Sequence, residues 1–474
     1  MIRRPATPLN RYRIVRDKFP RVHFIGLAGI GMSGLAEVML QTGFEVSGSD
    51  LGAAPALTRL ARLGAHVNEG HAAGHIGSAD LVVRSSAIGE DNPELAAARR
   101  SGIPVVSRGE LLGGLSRLHR TISVTGSHGK TTTTGMIAQL LLDANLDPSV
   151  ILGGNFQALG GNARLGGGDH LVAEADESDG SFLYQHPDLA VVTNIDAEHL
   201  DYYQHLDNLK AALLEFVRRL PFYGAAVIWL DDPHLRGLRS GLGSRAVTYG
   251  FSPDADFHAS EPLPAGEGAT FEVLRGERPW GTFRLGVPGR HNVQNALAAI
   301  AVGHELGLSR EVIRRALAAF RGVDRRLQTR GVVREVRVVD DYGHHPTEIA
   351  ATLAAARTLA AGRLLAIFQP HRYSRVKALW AEFATAFAGA DVLFCTPIYP
   401  AGEKPLAGIT GEALCEAIRA ESRIPVHFAG DFDSLAEAVA RQARPGDLVI
   451  TLGAGDIREA GDRILATLAR EQQA

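Results

Sequence analysis

Along most of the chain a short apolar run ends in a glycine-rich or acidic turn, and a longer stretch with apolar residues at helical spacing follows. Runs of that length between turn residues read as buried strands, and the stretches after them as helices. In the first third, strands are expected at 22–26, 44–50, 81–86 and 103–106. A glycine turn at 27–34 leads to a helix over 35–40, and Asn92, Pro93 and Glu94 open another. Residues 1–20 read as a polar lead-in. In the middle third, strands are expected at 122–125, at 170–174 and at 189–195. Strands joined by polar loops fill 221–286, and residues 288–295 are read as capping an alanine-rich helix that ends near Gly307. Residues 320–327 read as an inter-domain connection. Beyond them, strands beginning near Val338, Leu364 and Leu448, and one ending near Cys395, each run into a polar loop; His345 or Thr347 stands near the start of a helix. Strands alternating with helices predict an α/β protein with mostly parallel sheets.

At 474 residues the chain is too long for a single core and is expected to hold about three domains. A formal net charge of −3 leaves no electrostatic footprint for nucleic acid. Cys395 and Cys415 make no disulfide framework and fit a reducing compartment. The basic start has no long apolar region, and no stretch approaches the length of a membrane span. A cytoplasmic protein without membrane insertion is therefore expected, as a monomer or weak homodimer.

The sharpest chemistry lies at 122–134. The strand is followed by Thr125, Gly126, Ser127, His128, Gly129, Lys130, Thr131 and Thr132, and an apolar helix begins there. Glycines let backbone N–H groups approach phosphate oxygens, and the helix start adds donors of its own. Lys130 would supply a point charge to the β- and γ-phosphates, and the Thr131 hydroxyl could ligate Mg²⁺. Position 124 is valine where the full phosphate-loop spacing has glycine, so the loop is a shortened variant. Gly29, Gly31 and Gly34 fit G-x-G-x-x-G, and the next strand ends in Asp50. That order suits a dinucleotide-type fold, although helix–strand packing selects the same glycines.

Acids cluster beyond the phosphate loop. Glu174 directly ends an apolar strand and is read as a Mg²⁺ ligand. Glu177, Asp179 and Asp201 are read as solvated loop acids, and His199 as a metal or phosphate ligand. From composition alone, Asn292 and Asn295 read as helix caps. In the last third, Asp341, Tyr342, His344, His371, Arg372 and Arg375 fall at strand ends, where parallel sheets bind ligands.

Taken together, HFIGLAGIGMSGLAEV, TGSHGKTTTT, VAEADESDGSFL, VTNIDAEHLDYY, PGRHNVQNALAA, DDYGHHPTEI, FQPHRYSR and LGAGDI resemble the Mur ligases of peptidoglycan synthesis over nearly the whole chain. The resemblance implies an N-terminal Rossmann-like UDP-binding domain (1–118), a central P-loop ATPase-like domain (119–323) and a C-terminal Rossmann-like domain (324–474). It implies UDP-sugar contacts at Gly29, Ile30, Gly31, Met32, Ser33, Gly34, Asp50, Ser85 and Ser86. ATP would meet residues 125–132, Asn292, Asn295, Arg326 and Asp341; the two asparagines thereby pass from caps to adenine contacts. Thr131 and Glu174 would hold one Mg²⁺ and His199 a second. Lys130, His199, Arg326, His344 and Arg372 would be catalytic, with Tyr342, His344, His371, Arg372 and Arg375 at the substrate. Ser127 stands where threonine is common, and Glu198 where aspartate is usual. The lysine that several sister ligases carbamylate falls at Leu213, and Lys210 reads as a surface helix residue, so no carbamylated lysine is expected.

The first, sixth and seventh motifs point to the branch that joins L-alanine to UDP-N-acetylmuramate with ATP through an acyl phosphate. The alternative inside the family reattaches a recycled tripeptide to the same UDP-sugar. An NAD-dependent oxidoreductase would leave Lys130, Thr131 and the acids unexplained. A regulatory module without chemistry would have lost Lys130 or the metal ligands, and all are present.

Overall fold

A computed structural model of the chain describes residues 11–52, 54–242 and 245–473. The chain divides into two compact units. One comprises Met1–Ser260, Glu272–Phe283 and Gln294–Phe320, and the other Glu261–Phe271, Arg284–Val293 and Arg321–Ala474.

The first unit begins with five strands, β1 (Arg21–Ile25), β2 (Glu45–Asp50), β3 (His66–Glu69), β4 (Leu81–Arg84) and β5 (Val105–Ser107). They form a wholly parallel sheet in the order β3-β2-β1-β4-β5. β1 is buried almost end to end, as a strand covered by helices on both faces must be. The order reverses between β1 and β4, which opens a crevice at their C-terminal ends beside Gly29 and Ser85. The glycine turn is shorter than expected: the helix is Ile30–Gln41, so Gly31 and Gly34 lie inside its first turns. Glycine is tolerated there because neighbours press close. A Cβ on Gly34 would lie 2.8 Å from Asn162 Nδ2, which donates to the Ile30 carbonyl at 2.6 Å. The lead-in also differs from expectation in its described part. Tyr12 is buried in the first sheet's core, with its hydroxyl 2.7 Å from His119 Nε2. Residues 1–10 lie outside the described residues.

The second sheet is built from β6 (Arg120–Thr125), β7 (Ser149–Phe156), β8 (Gly161–Arg164), β9 (His170–Glu174), β10 (Leu189–Val192), β11 (Ala225–Trp229), β12 (Arg245–Gly250), β13 (Phe257–Ala259), β14 (Leu263–Ala265), β15 (Gly268–Arg275) and β16 (Arg278–Leu285). Its parallel core runs β13-β12-β11-β10-β6-β9-β7, with antiparallel strands at both margins. β6 lies between β10 and β9, so the loops after all three strands meet at one edge.

The second unit carries β17 (Gln328–Val333), β18 (Val336–Asp341), β19 (Leu364–Phe368), β20 (Val392–Cys395), β21 (Val426–Phe428) and β22 (Leu448–Leu452). Their order is β17-β18-β22-β19-β20-β21, parallel except for β17. Leu365, Ile367 and Val449 pack on one face, and Leu364, Ala366, Phe368 and Ile450 on the other, so helices cover both. Among the described residues no helix is long and apolar enough to cross a membrane.

Candidate active site

β6 delivers Thr125 to the edge of its sheet, and Gly126 (φ +119°) turns the chain out of the strand. A Cβ on Gly126 would run into the Thr193 hydroxyl and lie 2.8 Å from the Asn194 carbonyl, so only glycine fits. Gly129 (φ +80°) caps the Lys130–Asp143 helix, and a Cβ there would lie 2.6 Å from Asn295 Oδ1. The loop between them is tied to the segment after β10. The Ser127 hydroxyl accepts from the Asp196 N–H at 2.8 Å, and Asn194 Oδ1 accepts from the His128 N–H at 2.8 Å. The Thr193 hydroxyl donates to the His128 carbonyl at 2.6 Å, and His128 Nε2 lies 2.9 Å from Asp196 Oδ2. The loop is thereby held open without its own strand hydrogen bonds, as a phosphate cradle requires. Thr132 is buried behind it.

Lys130 spends three donors on this loop and its neighbour: the Gly126 carbonyl at 2.7 Å, the Ser127 carbonyl at 3.1 Å and Glu177 Oε1 at 2.7 Å. Glu177 is therefore no solvated loop acid. It is fully buried, because the turn after β9 folds back beneath β6, and its other oxygen accepts from the Thr125 hydroxyl at 3.4 Å. Burial works against the Lys130 ammonium, but Glu177, Asp176 and Glu174 outweigh it and raise its pKa above the ordinary lysine value. Glu174 ends β9 as expected, and its Oε2 accepts from the Gly153 N–H at 2.9 Å. Loss of solvent raises its pKa despite Lys130 and a hydrogen bond from Thr131. A desolvated carboxylate beside a threonine hydroxyl is an oxygen donor set that fits a hard divalent cation, whose charge would relieve the burial. His199 sits in a left-handed conformation (φ +57°) with Nε2 3.5 Å from Glu177 Oε1 and 3.9 Å from Glu198 Oε2. Asp179 accepts from the Ser181 N–H at 3.0 Å, and the Asp201 side chain lies outside the described residues. Leu213 is buried in the core, while Lys210 pairs with Asp207 at 3.2 Å on the helix surface.

At the first sheet, Asp50 is engaged with backbone. Oδ2 accepts from the Ala28 N–H at 2.7 Å and Oδ1 from the Leu51 N–H at 2.8 Å, so it shapes the glycine turn from below. Met32 and Ser33 are buried and offer the crevice only backbone, while Ile30 is exposed. Ser85 stands just past β4, against Gly26, and Ser86 follows it. Arg108, which sequence reading passed over, lies across Gly31.

In the second unit, Asn292 donates through Nδ2 to the Pro288 carbonyl at 2.7 Å and stands inside the Arg290–Glu305 helix, so it does not cap that helix. Nor does Asn295, one turn further along it. The cap reading failed because the helix begins earlier, at Arg290. Asp341 ends β18 and is buried. Burial brings its pKa up to about 6, while it accepts from the Leu327 and Gly343 N–H groups at 2.8 Å each. Arg325 and Arg326 lie 4.8 and 5.6 Å from the Tyr342 ring centre. Glu348 links Arg326 (3.5 Å) to the His344 N–H (3.2 Å) and forms a capping box with His345. Burial lowers the His344 pKa to about 3 and that of His371 to about 4, so both present neutral imidazoles. His371 stacks on Tyr399 at 5.5 Å and meets Arg375 Nη1 at 3.0 Å, and Arg372 (φ +70°) donates to Glu403 at 2.6 Å. The C-terminal ends of β18, β22, β19 and β20 thus gather arginines whose fixed acids, Glu348 and Glu403, sequence reading did not single out.

Three family models match the chain in succession: the Mur ligase family, catalytic domain, over residues 21–120; the Mur ligase middle domain over 124–303; and the Mur ligase, glutamate ligase domain, over 325–455. A UDP-N-acetylmuramate–L-alanine ligase of Anaeromyxobacter sp. (strain Fw109-5) is 49% identical over 455 residues, covering 96% of this chain and 99% of that one. The crystal structure of the UDP-N-acetylmuramate–alanine ligase of Thermotoga maritima superposes with a TM-score of 0.82 at 29% identity, covering 95% of this chain and 99% of that one. A murein peptide ligase of Psychrobacter arcticus gives 0.68 at 25% identity, covering 94% and 98%. With its glycine loop, acid cluster and successive α/β sheets in the same order along the chain, this protein belongs to the Mur ligase family.

Proposed function

We propose that the chain joins L-alanine to the lactyl carboxylate of UDP-N-acetylmuramate, consuming ATP and giving UDP-N-acetylmuramoyl-L-alanine, ADP and phosphate. The observation that carries this reading is Lys130 clasped in its glycine loop with Glu174 and Glu177 beside it, in a chain 49% identical over nearly its full length to an alanine-adding ligase. The tripeptide-recycling alternative draws less support, since the murein peptide ligase superposes less well than the alanine ligase.

The work divides along the chain. Residues 1–118 take the UDP group through Gly29, Ile30, Gly31, Met32, Ser33 and Gly34, with Asp50 shaping the turn and Ser85 and Ser86 at the next strand end. Residues 119–323 take ATP through 125–132, Asn292 and Asn295. Residues 324–474 supply Asp341 and Arg326 to the nucleotide, and Tyr342, His344, His371, Arg372 and Arg375 to sugar and amino acid. The lactyl carboxylate oxygen attacks the γ-phosphorus and the bond to ADP breaks. The alanine amine then attacks the acyl carbon and phosphate departs. Bringing anions together is the barrier, and fixed cations lower it. Lys130 exchanges its bonds to the Gly126 and Ser127 carbonyls for phosphate oxygens, while Glu177 keeps the ammonium in place. A magnesium ion held by Thr131 and Glu174, with a second at His199, would supply further neutralisation of the phosphoryl oxygens. His344, kept neutral by burial, brings no positive charge of its own and offers the substrate an imidazole nitrogen for hydrogen bonding.

Product mass tests the assignment. With UDP-N-acetylmuramate, ATP and Mg²⁺, L-alanine is expected to yield a product heavier by one alanyl residue. A product with L-Ala-γ-D-Glu-diamino acid tripeptide and none with alanine would move the chain to the recycling branch.

A further inference from the structure

We propose that Arg108 is the cation that binds the diphosphate of the sugar nucleotide at the first glycine turn, and that Asp176 is the residue that positions it. The proposal rests on the sugar-nucleotide reading above. Arg108 opens the Arg108–Ser116 helix, whose start is fixed by a capping box between Ser107 and Glu110. Gly109 packs so tightly on Ser181 that any side chain there would collide with it, so the helix start rests directly on the turn after β9. From that seat the Arg108 side chain crosses to the Ile30–Gln41 helix. A Cβ on Gly31 would lie 2.9 Å from Arg108 Cδ and 3.0 Å from Nη1, which accounts for glycine at this position.

The guanidinium is divided between two tasks. Nη2 donates to Asp176 Oδ2 at 3.2 Å and to Ser181 Oγ at 3.5 Å. Nη1 is left over the glycine turn, with no acceptor among the described residues. An arginine held on one edge and open on the other is suited to bind a diphosphate through its fork. The Asp176 carboxylate attracts the Lys130 ammonium as well as the Arg108 guanidinium. One carboxylate is therefore shared electrostatically by the cation of the ATP loop and the cation of the UDP turn.

The test compares UDP with uridine by titration calorimetry on the full chain, for wild type, Arg108→Gln and Arg108→Lys, with ATP as control. UDP binding is expected to weaken about 30-fold in Arg108→Gln, the loss of one charge-assisted contact, and to recover largely in Arg108→Lys. Uridine, which lacks the diphosphate, should bind all three proteins alike, and ATP affinity should stay within about twofold. In turnover the loss should fall on the sugar-nucleotide KM, leaving the ATP KM in place. Unchanged UDP binding in Arg108→Gln would overturn the assignment, as would equal weakening of UDP and uridine. Wild-type protein that binds ATP but no UDP would overturn the sugar-nucleotide reading beneath it.

Discussion

Lys130 Nζ lies 2.7 Å from Glu177 Oε1, and the glutamate side chain retains only 1% of its exposure. A buried charge pair of this kind costs more when one partner is removed than the pair itself contributes. Lys130→Ala should therefore reduce turnover by at least about 10²–10³-fold. It should also destabilise the first unit by about 3 kcal/mol, because the buried Glu177 side chain loses its ammonium partner. Adding Glu177→Gln should restore much of the stability and none of the activity. Chemical denaturation and phosphate release on the single and double variants check both halves, and near-normal turnover in Lys130→Ala would refute the role given to the lysine.

Gly129 is the second fixed point of the loop. Alanine there must adopt φ near +80° and bring its Cβ to 2.6 Å from Asn295 Oδ1. The backbone strain alone costs about 1–2 kcal/mol, and displacement of Asn295 adds to it. Gly129→Ala should lower the denaturation midpoint and weaken ATP by about tenfold in equilibrium binding, an estimate from 1.4 kcal/mol of lost contact. Retained ATP affinity would mean that the loop does not hold the nucleotide.

Glu174 and Thr131 form the oxygen pair assigned to magnesium. Chelation should abolish turnover reversibly. In Glu174→Gln the Mg²⁺ concentration for half-maximal rate should rise by at least about tenfold. Binding of UDP-N-acetylmuramate should not change. An unaltered Mg²⁺ requirement would remove Glu174 from the metal.

Glu94 predicts how the first sheet responds to acid. It is fully buried and accepts from the Ser49 hydroxyl at 2.6 Å and the Ala72 N–H at 3.2 Å, with His23 Nε2 at 3.2 Å and His75 Nδ1 at 3.0 Å. Burial opposes its ionised form, but His23 and Ser49 lead the contacts that bring its pKa from 4.5 down to about 2. A depressed carboxylate pKa contributes stability that is fully present above pH 4.5 and disappears as pH falls through about 2. The contribution is about 3 kcal/mol at neutral pH. The stability gap between wild type and Glu94→Gln should therefore narrow as pH falls from 4.5 towards 2; a gap constant across that window would contradict the account.

What the sequence disclosed follows the range of the interactions concerned. Gly126, Gly129 and Lys130 stand within one turn of chain, so strand, loop and helix could be read together. Glu174 was legible because an acid closing an apolar run has no cheap explanation. Glu177 was not, since its burial depends on β9 lying beside β6 and on a turn folding beneath that pair. Arg108 looked like one more charge at a helix start, and only the approach of two helices places it over Gly31. Tyr12 sits in a polar segment and is buried by His119, more than a hundred residues away. The asparagines at 292 and 295 misled because capping is judged from the helix start, and alanine-rich composition does not mark where that start falls.

The central claim is that the carboxylate of the sugar nucleotide is activated by phosphoryl transfer at the Lys130 loop. The measurement that bears on it most directly uses UDP-N-acetylmuramate carrying ¹⁸O in its lactyl carboxylate, with ATP, Mg²⁺ and L-alanine. The account predicts that each turnover releases phosphate containing one labelled oxygen from that carboxylate. Product formation with unlabelled phosphate would contradict it, because the carboxylate would then have been activated by another route.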